Sequence, residues 1–111
     1  MSGDALDAVF SALSDPTRRS LVARLVRDGP HTATDLARSL PMTRQAVVHH
    51  LHALGDAGLV DAHRSGREVR YRATPEPLAE AVGWMLETGV RWDQRLQRLR
   101  TQVEERIPGP G

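Results

Sequence analysis

The sequence predicts a mainly α-helical fold with one small β-hairpin, five helices and a two-stranded wing. Three observations carry this expectation. Apolar residues recur at i, i+3, i+4 and i+7 along most of the chain, the period of a helix face. The period falls to two only once, between Val60 and Ala73. Aromatic residues make up 4% of the chain against 40% hydrophobic, so Leu, Val and Ala must build the core. A chain of 111 residues suits one compact domain, expected over 1–107 with a disordered tail at 108–111.

The first helix is expected at about 4–13, where Leu6, Val9, Phe10 and Leu13 share one face. Asp15 is placed to cap a second helix with Pro16 at its first position, where a missing N–H costs nothing. Leu21, Val22 and Leu25 are its buried side, and Gly29-Pro30 stops it. A short third helix opens at Thr32, with Asp35 placed to reach back as in a capping box, and Pro41 ends it. Leu36, Ala37 and Leu40 form its apolar side. Thr43 caps a fourth helix over 43–57, with Val47, Leu51 and Leu54 buried and Gly58 a left-handed stop. In the hairpin Val60, Ala62 and Arg64 alternate with Asp61 and His63. Val69, Tyr71 and Ala73 alternate with Glu68, Arg70 and Arg72 around a turn at Ser65-Gly66-Arg67.

The last helix, at about 77–105, carries Leu78, Val82, Met85, Gly89, Trp92, Leu96, Leu99 and Val103 at alternating spacings of four and three. This a/d heptad pattern runs for more than three heptads and outreaches a domain of this size. Its economical partner is a second copy of the chain. Leu6 and Phe10 of the first helix, with Val82, Met85, Trp92, Leu96 and Leu99 of the last, are the expected dimerisation residues. The alternative is a helix folded wholly over its own core.

Composition removes several classes of function. With no Cys there is no disulfide, thiolate metal site or thiol nucleophile. No apolar run reaches eighteen residues, and the acidic N-terminus lacks the order of a signal peptide, so a cytoplasmic, nucleoid-associated location is expected. The Asp, Glu, Ser and His residues fall into no nucleophile–base arrangement, and an enzyme is not expected. The formal charge of +1 hides an asymmetry. Residues 38–75 carry +3, the segments on either side −1 each, and four of the five His lie in the middle segment. All fifteen basic residues are Arg.

The third and fourth helices, joined at Pro41-Met42-Thr43, have the connection of a helix-turn-helix, and the basic hairpin after them reads as a wing. Several strings here resemble one family. Leu13-Ser14-Asp15-Pro16-Thr17-Arg18-Arg19 looks like the opening signature of the ArsR/SmtB family of bacterial regulators. The run from Leu40 to Leu51 resembles that family's recognition helix, and Leu54 to Val60 with the Gly66–Tyr71 wing continue the match. The resemblance spans about residues 6–104. It implies a homodimer that binds double-stranded operator DNA and represses its own or a neighbouring operon.

Physical reading of the recognition helix agrees. With Val47, Leu51 and Leu54 inward, Arg44, Gln45, Val48, His49 and His52 face outward. Gln45 suits adenine, Arg44 guanine or a phosphate, and Val48 a thymine methyl. Thr43 at the helix start suits a phosphate, and His49 and His52 can donate to phosphates or base acceptors. In the wing, Arg64 and Arg67 are the strongest candidates for the minor groove, followed by Arg70, while Tyr71 packs inward. His50 borders the buried stripe, and a positional role is favoured over base reading. A solvated face is the plain alternative for these residues, above all for Val48 and Arg72. At the molecular level the alternative is a winged-helix interaction module that binds no DNA.

The resemblance also locates the family's common metal sites. The Cys-containing motif would fall at Thr34–Arg38, which has no Cys, and the last helix would need His residues, of which it has none. No metal or other cofactor is expected. His49 and His52 have chelating spacing but sit where DNA should lie. Phe10, Trp84, Met85 and Trp92 form a dimer core in the favoured reading. A pocket for an unknown small-molecule effector is the other.

Overall fold

The computed structural model describes residues 3–106. Its elements run α1 (Gly3–Leu13), α2 (Pro16–Asp28), β1 (His31–Thr32), α3 (Ala33–Arg38), α4 (Arg44–Asp56), β2 (Val60–Ser65), β3 (Glu68–Ala73) and α5 (Pro75–Arg106). The chain divides into two compact units at Ala81–Val82, inside α5, and each is described by itself. The expected tail at 108–111 lies outside the described residues.

In the first unit α1 to α4 enclose an aliphatic core. Val9, Leu21, Leu36, Val47, Leu51, Leu54 and Leu59 are its most deeply buried side chains. The expected inward faces of α2 and α4 are the ones buried. Three predicted caps form. Asp15 accepts from the Arg18 N–H at 3.1 Å, Thr32 Oγ1 from the Asp35 N–H at 3.1 Å, and Thr43 Oγ1 from the Ala46 N–H at 3.1 Å. Each satisfies a backbone donor that its helix leaves unpaired. Gly58 stands at φ 76°, a conformation open to glycine, and lets the chain turn from α4 into the wing. Leu59 N donates to Leu54 O at 3.0 Å, and Thr74 N donates to Leu59 O at 3.0 Å across the base of the wing.

Several expectations need correction. The sheet has three strands, in the order β1-β3-β2, because His31 and Thr32 pair antiparallel with Tyr71 and Arg70. Two residues carry no alternation, so this strand exists only through its partner. α3 stops at Arg38 with Ser39 as its cap, before Pro41. There the Ser39 hydroxyl donates to Leu36 O and receives a hydrogen bond from Arg24. The reach of Asp35 back to the cap is replaced by an ion pair with Arg38 at 3.1 Å. Ala62 is exposed although it follows the alternation, since the wing projects past the core that Val60 still meets.

In the second unit, Val82 onward, α5 continues as helix. Val82, Met85, Trp92, Leu96, Leu99 and Val103 are all exposed, from 45% at Leu96 to 63% at Trp92. Arg91 pairs with Glu87 and Arg100 with Glu104 one turn apart, on the polar side.

Candidate nucleic-acid interface

Hydrophobic packing behind α4 sets which of its residues point away from the core. Val47 and Leu54 are fully buried and Leu51 nearly so. Thr43, Arg44, Gln45, His49 and His52 are exposed on the other side, as the spacing predicts. Val48 differs from its expected exposure. It is half-buried and packed against the core cluster, because it lies where α4 faces the wing strand. Thr43 is occupied as the N-cap through its oxygen, which leaves its O–H proton available to an acceptor.

His50 is held from behind. Arg18 Nε donates to His50 Nδ1 at 3.3 Å, which places the ring proton on Nε2. Arg18 belongs to the first turn of α2, where its own N–H meets the Asp15 carboxylate. That N–H is the main cause holding the Asp15 carboxyl below its ordinary value, with the Thr17 backbone N–H and the Arg18 charge adding to it. The link ties the start of α2 to the middle of α4. His49 and His50 meet edge-on with ring centroids 6.1 Å apart.

The wing presents its arginines unequally. Arg70 pairs with Glu68 at 3.2 Å, and Arg72 makes a two-pronged contact with Asp61 at 2.7 and 3.2 Å. The Arg72 guanidinium lowers the Asp61 carboxyl, chiefly by hydrogen bonding, and is itself raised in return. Arg64 and Arg67 flank Gly66 at the turn, exposed and with no ion-pair partner among the described residues. Tyr71 is buried and Val69 half-buried on the opposite face of β3.

Sequence reasoning missed a cleft of about 390 Å³ between α3, α4 and β3. It brings Thr34 and Arg38, neither singled out from the sequence, beside Arg44, Val48 and Arg67. The pairing of β1 with β3 helps bring α3 to the wing, and no local pattern announces it.

Of the expected dimerisation residues, Leu6 and Phe10 are half-buried against the first unit's own core, whereas Val82, Met85, Trp92, Leu96 and Leu99 are exposed on α5. Among the described residues no three His, Asp or Glu side chains gather as a metal site, and no helix is long and apolar enough to cross a membrane.

This arrangement has known counterparts. A helix-turn-helix domain model matches residues 13–63. The transcriptional repressor SdpR of Bacillus subtilis is 35% identical over 81 residues, covering 73% of this chain and 89% of SdpR. A solved ArsR-like transcriptional regulator from Rhodococcus is 39% identical and superimposes with a TM-score of 0.79, covering 94% of this chain and 96% of that one. The chain belongs to the ArsR/SmtB family. It is a winged helix-turn-helix, DNA-binding transcriptional regulator and not an enzyme. A further solved relative is the homodimeric winged helix-turn-helix DNA-binding domain of a possible ArsR-family transcriptional regulator from Mycobacterium bovis. It is 26% identical with a TM-score of 0.64, covering 78% of this chain and 79% of its own. In this ArsR-family chain α3 and α4 are the helix-turn-helix and β2–β3 the wing.

Proposed function

We propose that this regulator acts as a homodimeric repressor of its own or a neighbouring operon, with residues 1–107 as one functional domain in the cytoplasm. One observation carries the reading. α4 presents Thr43, Arg44, Gln45, His49 and His52 on a face free of the core, and the wing beside it holds unpaired Arg64 and Arg67. In this reading Gln45, His49 and His52 meet base edges in the major groove, Val48 supplies an apolar edge, and Arg64, Arg67 and Arg70 act from the wing. A two-fold dimer spaces its recognition helices by one helical turn, about 34–36 Å, so the operator is an imperfect palindrome. In this reading the exposed stripe of α5 is the surface a second copy covers, and Leu6 and Phe10 of α1 take part in the same assembly. Regulation by a metal at the family's usual positions is not supported: Thr34–Arg38 has no Cys and α5 no His.

The test is fluorescence anisotropy on DNA from upstream of the gene against a scrambled duplex, at two salt concentrations. Binding of two monomers per site, selective for the upstream DNA and weakened by salt, is the expected result. Absence of binding at low salt would overturn the reading.

A further inference from the structure

The cleft between α3, α4 and β3 combines features that the recognition helix and wing do not have separately. Arg44 enters from the first turn of α4 and Arg67 from the wing turn. Neither guanidinium has an ion-pair partner among the described residues. The two carboxylates of the cleft are already engaged, Asp35 by Arg38 at 3.1 Å and Glu68 by Arg70 at 3.2 Å. An arriving anion therefore meets two free guanidinium forks and no free carboxylate. The wall behind them is the half-buried Val48 and Val69 and the buried Tyr71, an apolar backing for the charge-assisted hydrogen bonds that the guanidinium forks can make. Thr34 adds an exposed hydroxyl at the rim.

We propose that this cleft is a phosphate site. In the DNA complex it seats one backbone phosphodiester between Arg44 and Arg67, and in the free protein it accepts inorganic phosphate. The DNA half of the inference rests on the reading given under Proposed function; the free-anion half does not. The proposal divides the interface by role. Arg44 and Arg67 clamp the backbone and carry no sequence information, while Gln45 on α4 and Arg64 on the wing are left to read sequence and groove shape. It also makes free phosphate a direct competitor of DNA, beyond its effect on ionic strength.

Two measurements test it. In the free protein, amide NMR is followed as inorganic phosphate replaces chloride at constant ionic strength. Shifts should concentrate at Thr34, Arg44, Arg67 and Tyr71 and saturate, and an Arg44→Gln/Arg67→Gln variant, whose spectrum also reports its fold, should lose them. Shifts spread over all exposed arginines would overturn the site. In the second arm, Arg67→Gln is assayed by anisotropy on the upstream and scrambled duplexes. A similar loss on both, with the salt slope reduced by about one, is the expected signature of a phosphate contact. A loss confined to the upstream duplex would show base or groove reading by Arg67 and overturn the clamp. Localised shifts without DNA binding by the unmodified protein would uphold the anion site and overturn the DNA reading instead.

Discussion

Three side chains fix the geometry of α4 before any DNA arrives. Thr43 caps its first turn, His50 receives Arg18 from α2, and Asp15 holds the turn of α2 from which Arg18 projects. Thr43→Ala should destabilise the fold by about 1 kcal/mol, the usual worth of an N-cap, and Thr43→Ser should restore it in chemical denaturation. Arg18→Ala removes the support of His50 without touching the outward face. It should weaken DNA binding while the dimer persists, as read by anisotropy beside sedimentation. The carboxyls of Asp15, Asp28 and Asp61 all lie below their ordinary value in the folded chain, the first through a backbone N–H and the others mainly through arginine hydrogen bonds. A depressed carboxyl binds its proton later in the native state than in the unfolded one. Its stabilisation is complete above the ordinary carboxylate value and is lost as pH falls through the lowered one. Stability should therefore fall below about pH 4, and Asp15→Asn should make the midpoint of urea unfolding less sensitive to pH in that window.

At the scale of elements, α4 and α5 differ in what completes them. The inward face of α4 is satisfied within the first unit, so Leu54→Ala should cost about 2–5 kcal/mol through the cavity it leaves, measured by thermal unfolding. α5 from Val82 onward exposes one apolar residue per half-heptad except at Gly89 and gains nothing from this exposure in water. Leu96→Glu should leave the monomer fold intact, since Leu96 lies outside the first unit's core, and shift sedimentation from dimer to monomer. The wing is a third case. Pairing of Arg72 with Asp61 on its strands and of Arg70 with Glu68 spends two of its four arginines internally, which concentrates free charge at Arg64 and Arg67 beside the turn.

For the whole molecule, DNA binding and assembly are expected to be linked. If each half-site holds one recognition helix, the monomeric Leu96→Glu variant should bind the upstream duplex far more weakly than the dimer, although its DNA-facing residues are unchanged. Phosphate contacts release counterions, so the logarithm of affinity should fall linearly with the logarithm of salt concentration. Dimerisation also couples to stability by mass action, and the midpoint of thermal unfolding should rise with protein concentration. A midpoint independent of concentration would argue against α5 as an assembly surface.

The helices, their caps and their inward faces were legible in the sequence because each depends on residues within a few positions of one another. Pro16 after Asp15, Thr43 before Arg44 and the Val47–Leu51–Leu54 stripe are local statements of helix start and helix face, and the described chain has them in those places. The family resemblance rests on the same strings and is confirmed. Legibility ended where partners lie far apart in the chain. The two-residue β1 forms only because Tyr71 and Arg70 lie opposite it. The support of His50 comes from Arg18, thirty-two positions away. Val48 is half-covered because α4 faces β3 across the cleft, which helical spacing alone could not register. Composition counted the arginines of the wing, but only tertiary structure decided which were paired with acids and which were left free. Charge can be summed along a chain, whereas neutralisation depends on distances that only folding sets.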